Sequence, residues 1–336
     1  MPPPPQTVEF RREGLDGLTI SRLYQQGDRL FAATDNGLYA KGVDGDNWQL
    51  IGLENHRLQD VAIIDDQHLI AAAVFDPDPQ RFSDPRLFES VNGGANWLPL
   101  DNDFGGGFEE NIGVWALLYD AENQRLYATG QDALAVSEDT GRSWALISGA
   151  WDTLSQPKSA LALNRGNGQI WYGGQNAIEQ MVLRSVDLAS GVTTEFSGFL
   201  LPSPATIEGI TLDPLNPDRV IASGEGGILL TLDNGESWTA PLGDVDFRFY
   251  FQAILDPQDS DVIYTASWVK DFDNPQPFVL EVSRDGGRSW SMHVLDEPGL
   301  FGGAWSLLAV LENEKTVLYA GLLRGGIVKV LFADGA

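Results

Sequence analysis

The sequence predicts an all-β fold: a seven-bladed β-propeller of four-stranded antiparallel blades, in which a strand from the N-terminus completes the last blade. Three observations lead to this prediction. A turn motif ending in Trp recurs along the chain, strand-like segments occur in seven consecutive pairs, and the 336 residues are rich in Gly (37) and Trp (10). Many tight turns and a recurrent Trp are typical of β-repeat proteins.

The turn motif consists of a hydroxyl residue, Asp or Asn two positions later, Gly two positions after that, and Trp three further on. Its four good copies are Ser90, Asn92, Gly94 and Trp97; Ser137, Asp139, Gly141 and Trp144; Thr231, Asp233, Gly235 and Trp238; and Ser283, Asp285, Gly287 and Trp290. A fifth copy at 41–48 is worn, since its Asp has slipped to position 44. A sixth keeps only Ser185 and Asp187, and Phe196 is a candidate to fill the volume of its lost Trp.

The spacing of the motif fits one blade per repeat. Residues Trp48, Trp97, Trp144, Trp238 and Trp290 are separated by 49, 47, 94 and 52 residues, and the gap of 94 spans two repeats. A period of about 45 to 50 residues is what four short strands and their turns occupy in a propeller blade. The Asp can accept backbone N–H bonds, the Gly permits a positive φ, and the Trp can fill apolar space between blades. We therefore expect these motifs to be structural.

Each repeat is interpreted as an inner strand, a second strand, a third strand, the turn motif and an outer strand that starts at the Trp. Inner strands are expected at 20–24, 58–64, 114–119, 159–163, 209–212, 251–255 and 305–310, and second strands at 29–33, 68–74, 125–129, 169–173, 219–223, 262–267 and 317–321. The chain 1–336 is then a single propeller with blades at about 18–53, 57–102, 113–149, 158–198, 207–243, 250–296, and 304–332 plus 6–12.

The seventh repeat is incomplete, because it stops after the strand-like segment 326–330 without a turn motif or an outer strand. An orphan strand at 7–11 precedes the first inner strand, in the place of an outer strand. We expect it to complete the last blade. Such a closure removes a sheet edge that would otherwise promote aggregation.

The formal net charge of −27 arises from 48 acidic and 21 basic residues. This balance argues against nucleic-acid binding, because contacts with phosphates need a surface rich in Lys and Arg. It argues against binding to an anionic membrane surface for the same reason. The acidic excess fits either solubility through self-repulsion or the binding of a basic partner or a cation.

The chain has no Cys, which excludes disulfides and thiolate metal sites. Its three His, at positions 56, 68 and 293, are scattered, so we expect no metal site and no cofactor. The first residues lack the basic and apolar regions of a signal peptide, which favours the cytoplasm unless a leader has been removed. The longest apolar runs are too short to cross a bilayer, and no membrane insertion is expected.

One face of such a ring carries the blade-to-blade connections and the loops between second and third strands. These loops are tight in blades 1, 3, 5 and 7 and longer in blades 2, 4 and 6, at 75–82, 174–180 and 268–278. Candidate binding residues lie in or beside the loops of this face: Phe104, Phe108, Trp115, Trp151, Glu208, Phe247, Arg248, Tyr250, Trp268, Phe272 and Trp305. Acids such as Asp103 lie between them. The rings either plug the channel mouth and pack on one another, or anchor a partner inside an acidic rim.

The four turn motifs resemble the Asp-box, also called the bacterial neuraminidase repeat, and the resemblance covers almost the whole chain. The arrangement is similar to single-domain propellers of the sortilin and photosystem II assembly-factor type. In that family the boxes sit on turns away from the active face, so the resemblance implies a folding role for them. It also implies a non-catalytic scaffold that binds a protein or peptide, as an assembly factor or accessory subunit does.

The alternative is a carbohydrate-active enzyme or a lectin that uses the same face. A sialidase resemblance would need three converging arginines, a Tyr nucleophile with a Glu partner, and an acid. Glu208 and Tyr250 begin adjacent inner strands, but the aromatic-Arg-Ile-Pro motif of sialidases is absent and sialidases have six blades. We therefore assign no catalytic residue. A lectin would use the aromatic side chains as stacking platforms.

Overall fold

The computed structural model describes residues 7–75, 86–106, 113–151, 155–196, 206–243, 245 and 247–333. Across these ranges the chain forms 28 β-strands. The same ranges contain no helix with the length and apolarity to span a membrane. The strands build seven antiparallel sheets, and neighbouring sheets contact one another to close a ring. This is the predicted seven-bladed β-propeller.

The chain starts with β1 (Val8–Arg12), which belongs to the last blade, and then forms the blades in order. From the inner to the outer strand, the first three blades contain β2 (Ile20–Gln26), β3 (Arg29–Thr34), β4 (Gly37–Gly42) and β5 (Gln49–Gly52); β6 (His56–Ile63), β7 (Leu69–Phe75), β8 (Arg86–Ser90) and β9 (Leu98–Pro99); and β10 (Ala116–Asp120), β11 (Arg125–Thr129), β12 (Leu134–Ser137) and β13 (Ala145–Ser148).

Blades 4 to 7 follow the same order. They contain β14 (Ala160–Asn164), β15 (Gln169–Gln175), β16 (Met181–Asp187) and β17 (Thr193–Glu195); β18 (Gly209–Leu212), β19 (Val220–Gly224) and β20 (Gly227–Thr231); β21 (Arg248–Phe249), β22 (Ala253–Leu255), β23 (Ile263–Val269), β24 (Phe278–Ser283) and β25 (Ser291–Leu295); and β26 (Ala304–Glu312), β27 (Lys315–Leu322) and β28 (Gly326–Phe332).

Two blades depart from the regular pattern. In blade 5 the outer strand is reduced to a single bridge between Leu230 and Thr239. In blade 6 the additional strand β21 pairs with the end of β23, with Arg248 opposite Val269. The connection entering blade 6 therefore runs along the sheet before the inner strand β22 begins.

The hydrophobic core lies between the blades. Every side chain of β3 after Arg29 is buried, because a second strand has a neighbouring blade on each of its faces. The apolar clusters accordingly join adjacent blades: Phe31 and Leu38 of blade 1 pack with Leu58 and Val61 of blade 2. Each blade thus depends on its neighbours for burial of its apolar side chains, as expected for a repeat fold.

The N-terminal strand closes the ring as predicted. β1 pairs antiparallel with β28, from Val8 opposite Phe332 to Arg12 opposite Val328. It thereby takes the outer position of blade 7, which β26, β27 and β28 leave empty.

The four turn motifs share one hydrogen-bond pattern. In the motif of blade 3, the hydroxyl of Ser137 accepts from the backbone N–H of Gly141 (2.8 Å) and donates to the carboxylate of Asp139 (2.8 Å). That carboxylate also accepts from the hydroxyl (2.5 Å) and backbone N–H (2.8 Å) of Ser143. These bonds lower the pKa of Asp139 to about 2. Gly141 has a φ of 94°, which explains the Gly at this position.

The other three motifs repeat this geometry. The hydroxyls of Ser90, Thr231 and Ser283 accept from the N–H of the glycine four residues later, at 2.8 to 2.9 Å. Hydrogen bonds to the carboxylates of Asp233 and Asp285, chiefly from the hydroxyls of Ser237 and Ser289, lower their pKa values. The turns therefore combine local satisfaction of polar groups with a tight reversal of the chain.

The space beside the worn motif of blade 4 is not filled by Phe196. Phe196 stacks on Trp171 (5.0 Å between centroids) and meets Trp238 edge-on (5.8 Å), so it lies between blades 4 and 5. Leu188 instead packs with Tyr127 and the other residues between blades 3 and 4. The reason is that Phe196 follows β17 and lies on the side of blade 4 that faces blade 5.

Candidate functional site: the loop face

Hydrogen bonds between connections define one face of the ring. The backbone N–H of Lys158, which enters blade 4, donates to Gly130 O in the loop of blade 3 (3.1 Å). Tyr250 N–H donates to Gly224 O in the loop of blade 5 (3.1 Å), which repeats the relation two blades later. We call this side, formed by blade-to-blade connections and by loops between second and third strands, the loop face. The turn motifs lie on the opposite side, where Gly93 N–H donates to Gln67 O (2.9 Å).

The predicted binding residues lie at different depths on the loop face. Phe247 and Phe272 are 78% and 43% exposed. The half-buried members are Trp115, Trp151, Glu208, Arg248 and Trp305, and the buried members are Phe104, Tyr250 and Trp268. Phe108 lies outside the described residues. The exposed rings are available for direct contact with a partner, and the buried rings can support them from below.

Four aromatic rings form a column from the mouth of the central channel into blade 6. Trp305 stacks on Phe251 (5.2 Å between centroids), which in turn stacks on Phe249 (5.6 Å) and Trp268 (5.9 Å). Phe251 is absent from the sequence-based set of site residues. The alternation of Phe249 and Phe251 could have indicated it, because alternate residues of an extended chain share one side.

Phe272 caps this column. Its ring meets Trp268 edge-on, at 5.1 Å and 85°. Arg324, on the loop of blade 7, donates to the carbonyl oxygen of Phe272 (2.5 Å) and places its guanidinium 5.1 Å from the ring centroid of Phe301. The long loop of blade 6 is therefore attached to the neighbouring blade at the residue that presents the exposed ring.

The same loop is fixed internally. The side-chain amide of Gln276 accepts from Val269 N–H (2.8 Å) and donates to Val269 O (3.0 Å). Hydrogen bonds from the side chain of Asn274 and the backbone of Asp273 lower the pKa of Asp271. The exposed Phe272 thus stands on a loop that is held by its own hydrogen bonds.

Phe247 is held in an unfavourable backbone conformation. Its φ is 58°, a value that bulky residues rarely adopt. The next two residues are fixed, because Arg248 and Phe249 pair with Val269 and Trp268. Strain of this kind costs about 1 to 3 kcal/mol and persists where the surrounding structure requires it, often at functional sites.

A second aromatic group lies between blades 2 and 3. Phe104 is buried and meets Trp144 and Trp151 edge-on, at 5.3 and 5.0 Å. The carboxylate of Asp103 accepts from Trp144 N–H (2.7 Å), so this acid is bound at the start of an outer strand. Phe104 and Asp103 therefore contribute to the contact between two blades.

The channel carries a polar network near its mouth. Arg22 of blade 1 donates to Ser159 O of blade 4 (2.8 Å), and the hydroxyl of Ser159 donates to Glu208 of blade 5 (3.1 Å). Asp60 of blade 2 accepts from Tyr24 (2.5 Å) and from the backbone of blade 3. Burial raises the pKa values of Glu208 and Asp60, and the positive charge of Arg22 opposes the shift at both carboxyls.

Tyr250 of the predicted site forms a buried pair with a glutamate. The hydroxyl of Tyr250 lies 3.5 Å from the carboxylate of Glu281, and both residues are buried. Burial raises the pKa of Glu281, whose second oxygen is buried without a hydrogen-bond partner. Tyr250 therefore faces Glu281, whereas Glu208 accepts a hydrogen bond from Ser159. In the described ranges, no group of three His, Asp or Glu side chains is arranged to hold a metal ion.

Lys158 is fully buried beneath the loop face. Its ammonium shares its three N–H groups among four oxygens within hydrogen-bond distance: Gln131 O (2.7 Å), Gln156 O (2.8 Å), Gln175 O (2.8 Å) and the hydroxyl of Ser155 (2.8 Å). Burial lowers its pKa to about 8. Sequence reasoning missed this residue, because the acceptors are mostly backbone carbonyls of two different blades.

No protein-family model matches the sequence, and no curated protein matches it. The fold is similar to that of YCF48 from Cyanidioschyzon merolae, with a TM-score of 0.64 and 13% identity over 95% of this chain and 98% of that one. It is similar to a chain of the mitotic checkpoint complex, with a TM-score of 0.66 and 13% identity over 98% of this chain and 94% of that one.

A third similar structure is the extracellular domain of the hybrid two-component system BT3049 from B. thetaiotaomicron. Its TM-score is 0.65 and its identity 14%, over 98% of this chain and 42% of that one. Identities this low establish a shared fold and leave function to the site itself. The chain is a seven-bladed β-propeller, similar in fold to YCF48, to a chain of the mitotic checkpoint complex and to an extracellular domain of a two-component system.

Proposed function

We propose that this protein is a non-catalytic scaffold that binds a protein or peptide on its loop face, with Phe247 and Phe272 as the contact residues. The observation that carries the proposal is the pair of exposed rings beside a buried aromatic column. We also assign the four turn motifs to the Asp-box repeat, on the basis of their residue pattern and hydrogen bonds.

Rigid aromatic side chains are well suited to anchor a partner. They contribute large contact areas at low cost in conformational entropy, and binding energy concentrates on such residues in interfaces. Phe272 is supported by Trp268, and Phe247 stands on a strand fixed by pairing. Little ordering would be required of this surface on binding, which favours affinity.

The charge of the protein favours a basic partner. The net charge is −27, Asp271 and Asp273 flank Phe272 in the chain, and Glu225 pairs with Phe249. Lys270 is already engaged by Glu225 at 3.4 Å and lies 4.9 Å from the ring centroid of Phe249. An acidic field of this size would steer a positively charged protein or peptide towards the face.

A capture experiment with matched variants tests the proposal. The bait is the purified propeller, and the site variant carries Phe247→Ser and Phe272→Ser. The control variant carries Leu98→Ser and Leu232→Ser, two apolar residues that are 71% and 62% exposed away from the loop face. A captured protein is then purified and titrated against all three forms.

A partner bound by the wild type and the control, and at least about tenfold more weakly by the site variant, supports the proposal. Equal binding to the site variant would overturn the assignment of the loop face. Binding of glycans that is lost in the site variant, with no protein partner, would favour the lectin alternative.

A further inference from the structure

Contacts bring several residues together at the channel mouth, where Gly209, next to Glu208, packs so closely on Phe251 that a Cβ on Gly209 would lie 2.5 Å from Phe251 O. Trp305 stacks on Phe251, Glu208 meets Ser159, and Arg22 reaches Ser159 from the opposite side of the ring. One residue further along each strand, Ser306 accepts from Leu23 N–H (3.0 Å), which fixes the height of blade 7 relative to blade 1.

Arg22 divides this mouth. Blades 1 and 4 are not neighbours, so the bond from Arg22 to Ser159 O crosses the channel. The larger part of the opening is bordered by blades 5, 6 and 7. Glu208, Phe251 and Trp305, all half-buried, come from the first residues of these inner strands or the positions just before them.

The position of Trp305 depends on an irregularity of β26. The register of β26 with β27 shifts between Ala304 and Ser306, so Trp305 is the extra residue of a β-bulge. Bulges redirect side chains and are frequent next to binding sites. One face of the indole stacks on Phe251, and the ring remains half-buried at the opening.

We propose that this compartment receives a lysine or arginine side chain of the partner, between the carboxylate of Glu208 and the indole of Trp305. The inference rests on the proposed function and specifies the chemistry of the partner at a second contact. Aromatic faces next to a carboxylate attract cations through both the ring quadrupole and the opposite charge.

The charges of the mouth favour a cation over an anion. Arg22 carries one positive charge and lies close to two carboxyl groups, those of Asp60 and Glu208. The whole chain has a net charge of −27, which gives the channel a negative surrounding field. A low-dielectric cleft focuses the negative electrostatic field of the protein. This field would repel a carboxylate that approached Arg22.

Small probes test the compartment directly. N-acetyl-lysine methylamide and N-acetyl-arginine methylamide are titrated by NMR against the full chain, beside the neutral norleucine and the anionic glutamate analogues. Variants Glu208→Gln, Trp305→Leu and Arg22→Met are compared with the control Leu98→Ser, and each thermal midpoint is measured to verify folding.

We expect the cationic probes to bind more tightly than the norleucine probe by roughly tenfold, and Glu208→Gln and Trp305→Leu each to remove most of this preference. No preference for the cations, or a preference for glutamate that Arg22→Met abolishes, overturns the inference.

The two proposals fail separately. In one outcome, the captured partner binds the double variant Phe247→Ser, Phe272→Ser more weakly but binds Glu208→Gln as tightly as the wild type. The loop-face function then stands and the cation site is wrong. If the lysine probe binds through Glu208 while no partner depends on Phe247 and Phe272, the cation site stands without the scaffold function.

Discussion

The indole N–H of Trp97 in blade 2 donates a hydrogen bond to Ile51 O in the outer strand of blade 1, across 3.3 Å. Trp238 of blade 5 likewise packs against Trp171 of blade 4, at 6.2 Å between centroids. The Trp of a turn motif therefore belongs to the contact with the preceding blade. This relation explains why a residue at the end of a local motif can control the stability of the ring.

Replacing a buried motif Trp should destabilise the fold. Trp144→Ala removes a buried ring that packs on Phe104, and we expect the free energy of unfolding to fall by about 3 to 5 kcal/mol. Urea unfolding followed by circular dichroism measures this. Phe247→Ala, at an exposed position, should lower stability by no more than about 0.5 kcal/mol. Similar losses in both variants would contradict the interpretation.

The hydroxyl of the motif should be essential to its turn. Ser137→Ala leaves Gly141 N–H without its buried acceptor, so we expect a loss of about 1 to 3 kcal/mol in unfolding free energy. Ser137→Thr should be tolerated, because Thr231 makes the equivalent bond at 2.9 Å. If the Ala and Thr variants unfold at the same urea concentration, the hydroxyl is not the stabilising group.

Stability should decline in acid because of the motif carboxylates. The pKa values of Asp139, Asp233 and Asp285 are lowered in the folded protein, to about 2 for Asp139. A lowered folded pKa gives stability that is present above the unfolded value of about 3.9 and is lost as the pH falls towards 2. Thermal midpoints at pH 2 to 6 should show this decline.

A variant with Asn at these three positions provides the control for acid. The motif of blade 2 already uses Asn92, whose side-chain oxygen accepts from Asn96 N–H at 2.9 Å. We therefore expect the triple Asp→Asn variant to fold and to lose less stability between pH 4 and pH 2 than the wild type. An unchanged acid profile would assign the decline to other carboxylates.

The buried Lys158 should stabilise the connection between blades 3 and 4. Lys158→Met leaves three carbonyls and a hydroxyl without their donor, so we expect a loss of several kcal/mol in unfolding free energy. Amide hydrogen exchange should increase first around Gln131 and Gln175. Uniform exchange over the whole ring would indicate that the residue has no local role.

Much of the fold could be predicted from the sequence because its signals are local. The motif with Ser137, Asp139 and Gly141 forms its hydrogen bonds within a few residues, so residue spacing alone indicates the turn. The closure by β1 followed from counting strands. The reduced outer strand of blade 5 could not be predicted, because the pattern around Trp238 is intact and Thr239 pairs only once.

The depth of the site residues depends on long-range contacts. Phe247 and Phe249 are separated by one residue, yet one ring is exposed and the other is buried against Trp268. Arg22 and Ser159 are 137 positions apart and meet only because the ring closes. Composition and spacing carry no information on such pairs, so the assignment of the loop residues to partner binding stays a prediction.

The pairing of β1 with β28 also brings Ala333 N–H to Thr7 O, at 3.0 Å. Both ends of the described chain therefore leave the ring at one point on its outer circumference. A fusion at either end would be attached at the same place, and joining the two ends would allow the chain to be opened at another blade connection instead. In space the blades form a closed cycle, and only blade 7, which combines strands from both ends, marks where the chain starts and stops.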